Sequence, residues 1–326
     1  MTDVADIESY RGELRRYCYR YFGCYAEAED AVQETFVRAW KHLQEFERRS
    51  SLRRWLYAIA TNVCLDMRGH RQRRALPMDL TGPGAVPDDL PSLTVSPEAT
   101  WITPIADHHL AADPAGITER RETVRLAFIT ALQALPPRQR VVLILADVLA
   151  WSAKECAALL DTTVAAVNSA LARARTTLRR HDPAEPAAYD EQLLTNYVAA
   201  FEAYDVDRLV ALLADDARFS MPPYDLWFQG TDAIEAWWRG PGEVCRGSRT
   251  IVTGANGQPA VAVYHPVESD PESGQRRWDA FAVHVLDVAH GRIAAITHFM
   301  GSHVFSEFGL PTSLVGSPPE HFPQQR

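Results

Sequence analysis

Seven prolines (Pro77, Pro83, Pro87, Pro91, Pro97, Pro104, Pro114) and three glycines (Gly82, Gly84, Gly116) fall within residues 75–118. Proline fixes φ and removes a backbone donor, so no long helix or strand can run through this stretch. No single helix or strand is expected to join the segments on either side of it. The stretch is also acidic: residues 81–119 hold six acids and no Lys or Arg. An extended acidic linker over 76–118 fits both facts, and a plain spacer would look the same.

With 326 residues, two or three domains are expected. A net charge of −9 argues against a nucleic-acid binder until it is resolved along the chain. Residues 1–80 carry +2, residues 120–181 carry +6 and residues 182–326 carry −11. Exposed charges are screened beyond roughly 8 Å at physiological salt, so two basic segments can meet DNA while the acidic half stays off it. The five cysteines (Cys18, Cys24, Cys64, Cys156, Cys245) make no C-x-x-C pair and no zinc set, which predicts buried thiols in a reducing compartment and no metal. There is no apolar run of about 18 residues, and the acidic N-terminus is unlike a signal peptide. A cytoplasmic protein that does not enter a membrane is expected.

Periodicity predicts helices on both sides of the linker. In Asp30–Leu43, Val32, Phe36, Ala39, Trp40 and Leu43 recur at helical spacing, and Leu52, Trp55, Leu56, Ile59 and Val63 do the same in the next segment. Phe46–Ser51 is polar and reads as a loop. Beyond the linker, Pro136-Pro137 starts a helix, and Ser152-Ala-Lys-Glu155 matches a capping box. A short helix to Leu160, the turn Asp161-Thr162-Thr163 and a last basic helix make a helix-turn-helix without its usual glycine. Any amphipathic helical hairpin shares that spacing.

The C-terminal part has another texture. Helices over Leu193–Tyr204 and Val206–Leu213 precede strand-like runs at Ala217–Ser220, Thr250–Thr253, Ala260–Tyr264, Ala280–Val288 and Arg292–Met300. A helix near Asp232–Trp238 lies between them. Alternation in Phe281–Val288 predicts a half-buried antiparallel strand, and the order of elements predicts an α+β domain with a meandering sheet. Residues 311–326 read as a loose tail.

The motif strings resemble a known family. Ala28-Glu-Asp-Ala-Val-Gln-Glu-Thr-Phe-Val-Arg-Ala-Trp40 and Ser51-Leu-Arg-Arg-Trp-Leu-Tyr-Ala-Ile-Ala-Thr-Asn-Val-Cys-Leu-Asp66 resemble region 2 of bacterial sigma factors. Leu135-Pro-Pro-Arg-Gln-Arg-Val-Val-Leu143 and Val164-Ala-Ala-Val-Asn-Ser-Ala-Leu-Ala-Arg-Ala-Arg175 resemble region 4. Regions 1.1 and 3 have no counterpart, which points to the extracytoplasmic-function group. Leu194–Leu213 and Phe219–Gly230 are similar to the SnoaL-like branch of the NTF2-like fold, an addition shared by the SigG- and SigJ-like subgroups. The resemblance implies a multidomain protein: two all-α sigma domains, a region 2 helical bundle (1–75) and a region 4 helix-turn-helix (119–182), plus an α+β NTF2-like cone (190–310).

It also implies the tasks. RNA polymerase core would be met at its β′ clamp and β subunit, with Gln33, Glu34, Arg38 and Lys41, beside Thr35, on the docking face. Promoter DNA at the −10 element would be met by Arg48, Arg49, Ser50, Arg53, Arg54, Tyr57, Asn62, Arg68, Arg71, Arg73 and Arg74, as arginines meet phosphates and aromatics stack on bases. Trp55 fits the apolar stripe better than a base stack. At the −35 element, Thr163, Ala165, Ala166, Asn168 and Ser169 would reach base edges, while Arg173, Arg175, Arg179 and Arg180 hold phosphates. The linker would thread toward the polymerase active centre.

No catalytic residue and no cofactor is expected. The C-terminal domain would regulate in cis, with Tyr224, Trp227, Trp237, Trp278, His284 and His298 as a possible pocket for a small ligand. Two alternatives remain at this stage: a one-component, ligand-responsive repressor, and an isomerase or cyclase using Asp225, Asp279, His284 or His298. The Asp30–Arg74 block speaks against the first, and the lack of a decisive acid–base pair against the second.

Overall fold

The computed structural model describes residues 4–46, 51–67, 74–87, 95, 100–110, 121–179, 191–267 and 275–316. The chain forms two units, one from residues 1–75 with 108–183 and one from 76–107 with 184–326.

The described residues of the first unit are helical, apart from a two-residue strand at Arg74–Ala75. Helices α1 (Arg11–Phe22), α2 (Tyr25–Lys41) and α3 (Leu52–Met67) pack on one another. Leu14, Tyr17, Ala28, Val32, Leu56, Ala60 and Val63 fill the space between them, and the Tyr17 and Thr61 hydroxyls share a 2.7 Å hydrogen bond. The helical spacing read from sequence holds for Val32 and Ala39, but Trp40 is 70% exposed and Phe36 is only half-buried. Thr35 is the converse correction: it is buried, and its hydroxyl donates to the Ala31 carbonyl at 2.6 Å. A 17-residue helix turns its apolar stripe slowly around the axis, so the ends of a stripe can leave the core.

Beyond the linker come α4 (Leu126–Gln133), α5 (Pro137–Leu143), a π turn at Ile144–Val148, α6 (Ala153–Leu159) and α7 (Val164–Arg179). The capping box forms: Ser152 Oγ accepts from the Glu155 amide, and Glu155 Oε2 accepts from the Ser152 amide at 2.8 Å. In the turn between α6 and α7, Asp161 takes the place of glycine with φ +47°. Aspartate tolerates that left-handed conformation better than most residues. Gly23, closing α1 at φ +67°, has a second role: a Cβ there would lie 3.3 Å from Ile129 and 3.2 Å from Gln133, so its absence admits α4. The two sigma-like modules therefore share one packed unit.

The second unit is α+β. Helices α8 (Glu191–Ala203), α9 (Val206–Ala211) and α10 (Thr231–Arg239) share a core with a seven-stranded sheet. Its strands are β1 (Leu213–Ser220), β2 (Trp227–Gln229), β3 (Arg249–Ala255), β4 (Gln258–Val267), β5 (Arg277–Ala289), β6 (Arg292–Met300) and β7 (Ser313–Val315). The order is β2-β1-β6-β5-β4-β3, with β7 on β5. The sheet is not a simple meander, because β1 lies parallel to β6 while the other pairs are antiparallel. Nor is β5 half-buried: Ala282–Leu286 is buried throughout, so both faces of its centre are covered. The tail is ordered in part, since Ser313–Val315 pairs with Arg277–Asp279.

Residues 76–107, read as a separate linker, pack on this second unit. Gly84 N–H donates to the Trp227 carbonyl at 2.9 Å, and Trp227 Nε1 donates to the Thr81 carbonyl at 3.0 Å. Asn256 and Ile105 exchange two hydrogen bonds, and Asp107 Oδ1 accepts from the Gly257 amide at 2.7 Å. Ile102 and Ile105 are buried. Apolar residues spaced along the extended segment anchor what composition alone marks as loose.

Candidate nucleic-acid interface and C-terminal cavity

Helix α7 buries Val167 and Ala174 and presents its other face to solvent. Thr163, Ala165, Ala166, Asn168, Ser169, Arg173, Arg175 and Arg179 are all exposed. Arg175 is held by Asp147, whose two oxygens accept at 2.6 and 2.9 Å. Arg180 lies outside the described residues. The face has small and amide side chains at the helix N-terminus and cations toward its C-terminus, the arrangement that lets a helix enter a groove and grip phosphates.

The proposed −10 residues fare differently. Arg48, Arg49, Ser50, Arg68, Arg71 and Arg73 lie outside the described residues. Asn62 is exposed. Tyr57 is fully buried: its hydroxyl donates to Glu13 at 2.8 Å and its ring meets Trp151 edge-on at 5.7 Å. In this packing Tyr57 is not available to bases. Arg53 is paired with Glu13, Arg74 with Glu27 at 3.0 Å, and Arg54 with Glu155. Tyr57 and Arg54 thus sit at the joint between the region 2 and region 4 helices. Trp55 is half-buried and tilts against Phe46 at 4.9 Å, consistent with packing. On α2, Gln33 and Lys41 are exposed, and Arg38 is partly covered, bonded to Glu34 at 2.7 Å and Asp66 at 2.8 Å.

The joint is built on two buried arginines. Arg140 is fully buried and donates to the carbonyls of Tyr21, Gln133 and Leu135 and to Gln133 Oε1. Arg20, also buried, donates to the Thr123 carbonyl and hydroxyl. Neither role was visible from sequence, where both are ordinary basic residues.

In the second unit a cavity of about 220 Å³ opens between α8, α10 and the sheet. Tyr224, Trp237, His284 and His298 line it, as the sequence suggests. Trp227 and Trp278 do not: Trp227 is turned to Thr81, and Trp278 Nε1 donates to the Gly247 carbonyl at 3.0 Å. Sequence reading missed Phe201, Phe219, Met221, Trp238, Phe281 and Met300, whose apolar character marks only a core. Asp225 and Asp279 are not in the wall, and Asp279 is paired with Arg277 at 2.8 Å.

Burial disfavours the charged form of both cavity histidines. Burial pushes His284 down to about 3 and His298 well below its ordinary value, and each is pushed further by a neighbouring histidine. The nearby His265 is pushed down to about 4 by burial, and burial pushes the Cys245 thiol up to about 12. His284 Nδ1 and the Tyr197 hydroxyl share a 2.8 Å hydrogen bond. Among the described residues, His284 Nε2 and both ring nitrogens of His298 have no partner. No group of His, Cys, Asp or Glu among the described residues is arranged to hold a metal ion. No helix among them is long and apolar enough to cross a membrane.

Sigma-70 region 2 matches residues 7–74, Sigma-70 region 4 matches 125–178, and a SnoaL-like domain matches 194–296. Over 329 residues the chain is 44% identical to the ECF RNA polymerase sigma factor SigG of Mycobacterium tuberculosis (strain ATCC 25618 / H37Rv), which covers 95% of this chain and 84% of that one. The chain belongs to the extracytoplasmic-function sigma factors of RNA polymerase. The sigma factor is also 30% identical over 224 residues to SigJ of the same organism, 67% of this chain and 64% of that one. The crystal structure of the extracytoplasmic function sigma factor SigJ from M. tuberculosis has the same fold, with TM-score 0.60, 23% identity, and coverage of 95% of this chain and 100% of that one. Family membership replaces the repressor and isomerase readings as the account of the whole chain. A sigma factor acts in transcription initiation with RNA polymerase core at promoter DNA.

Proposed function

We propose that this sigma factor, working in the cytoplasm, docks on the β′ clamp and β subunit and reads two promoter elements with its two helical modules. The α2 face carrying Gln33, Glu34, Arg38 and Lys41 meets the clamp. Asn62 on α3, with the basic residues of the 48–74 segment of the sequence, meets the −10 element. The exposed face of α7 meets the −35 element, with Asn168 placed to pair with adenine. The single observation that carries this reading is that face: basic, free of packing, and on the second helix of a helix-turn-helix.

The packing of the two modules adds a requirement. The −10 and −35 elements lie about 25 base pairs apart, roughly 85 Å at about 3.4 Å per pair. A compact unit of about 150 residues has a radius of gyration of roughly 15 Å. The modules must therefore separate when polymerase takes them to a promoter, which also frees Arg54 from Glu155.

The C-terminal unit regulates in cis by withholding the linker. Thr81, Gly84, Ile105 and Asp107 are engaged there, and a linker so held is not available to the polymerase channel. Full-length protein added to purified core polymerase should yield transcripts from specific promoters. An absence of both core association and specific transcripts overturns the proposal.

A further inference from the structure

We infer that the C-terminal cavity binds a neutral aromatic alcohol of one or two rings, with the hydroxyl held by His284 and His298. The volume sets the size. A cavity of ~150 Å³ accepts benzene, and about 220 Å³ leaves room for a second ring. The walls set the shape, since Phe201, Phe219, Trp237, Trp238 and Phe281 offer ring faces and edges.

The polar groups set the chemistry. His284 and His298 are buried, their rings are 4.2 Å apart, and three of their four nitrogens have no partner among the described residues. Buried polar atoms are normally hydrogen-bonded, so these point to something that bonds them. A neutral imidazole has one donor and one acceptor nitrogen, and a hydroxyl can both donate and accept, so an alcohol suits either tautomer. None of the described residues lining the cavity is Asp, Glu, Lys or Arg, and burial keeps the imidazoles uncharged. An anion or a cation would enter without a counter-charge, which a low-dielectric site penalises heavily. Access is through the turn at Pro241–Cys245, where Val244 lines the cavity and is 47% exposed. Tyr224, which also lines the cavity, forms a β-bridge with Val95 of the linker, so one loop meets both the cavity and the linker.

The inference rests on the regulatory reading only for its biological meaning, and its test needs no polymerase. Calorimetric titration of the full chain with naphthol should show one site per chain, with Kd on the order of 100 µM for a ligand of this size. Naphthoate, the same rings with a charge, should bind at least about tenfold more weakly. His298→Phe, which keeps ring volume and removes the nitrogens, should weaken naphthol about tenfold. Val244→Trp should block the mouth from an exposed position and abolish binding. Absence of naphthol binding, equal affinity for naphthoate, or undiminished binding by either folded variant overturns the inference.

Discussion

Arg140 Nη1 donates to the backbone carbonyl of Tyr21 at 2.6 Å, tying the region 4 helix α5 to the end of the region 2 helix α1. The guanidinium lies 5.4 Å from the Tyr21 ring centroid, and its hydrogen-bond partners among the described residues are carbonyl oxygens, whose dipoles answer its charge. Arg140→Met would keep much of the volume but take the donor from four buried acceptors. It should lower unfolding free energy by about 2–4 kcal/mol, at ~1–3 kcal/mol for each unsatisfied group with partial relaxation. Urea unfolding monitored by circular dichroism measures this, and a loss within error would show that the joint does not depend on Arg140.

Asn168 and Arg173 occupy the same exposed face but should fail differently. Asn168→Ala should cost about 1–3 kcal/mol of discrimination at one −35 base pair while hardly changing binding elsewhere. Arg173→Ala should weaken promoter binding uniformly and reduce the slope of log K against log salt by about one. Holoenzyme binding to a panel of −35 variants across salt concentrations distinguishes the two, and identical profiles would remove Asn168 from base reading.

Trp227 and Asp107 hold the linker at its two ends. Trp227→Phe removes the indole donor to Thr81 with little change in volume, and Asp107→Ala removes the acceptor of the Gly257 amide. Each lost bond is worth roughly 0.5–1.5 kcal/mol. The double variant should give more promoter-specific transcript than wild type at subsaturating concentration. Equal or lower yield would argue that the C-terminal unit does not act by withholding the linker.

His284 and His298 make the stability of the C-terminal unit depend on acid. Their folded pKa values lie below the unfolded value, with His284 at about 3, so the unfolded chain binds more protons. Their contribution is complete above about pH 6.5 and is eroded as pH falls toward the folded values, by up to about 1.4 kcal/mol per pH unit for each. His298→Phe should flatten that slope and, by removing orphaned nitrogens, gain about 1 kcal/mol at neutral pH. Thermal unfolding from pH 7 to pH 5 tests both. A wild-type curve parallel to the variant's would place the protonation sites elsewhere.

Much of the fold was legible in advance because its signals are local. Helical spacing placed α2, α3 and α7, the S-x-x-E box placed the start of α6, and strand-like runs placed β4, β5 and β6 to within a few residues. The short partners were not legible. Trp227–Gln229 and Ser313–Val315 become strands only because β1 and β5 offer them an edge. The exposed face of α7 could be listed residue by residue, since exposure there follows from the helix's own periodicity. The burial of Tyr57 and Thr35 and the exposure of Trp40 could not, because each depends on which neighbouring helix lies where.

The order of residues alone therefore determined the kinds of module present and the basic face of α7, because these arise from contacts a few positions apart. Tertiary structure alone decided that Arg20 and Arg140 are interior struts, that Thr81, Gly84, Ile105 and Asp107 bond to the C-terminal unit, and that two histidines face an apolar cavity with nitrogens unpartnered among the described residues. In each case the deciding partner is far away in the chain: 119 positions separate Arg140 from Tyr21, and 151 separate Ile105 from Asn256. Spacing reports only on neighbours, and desolvation is set by whatever folds back to cover a group.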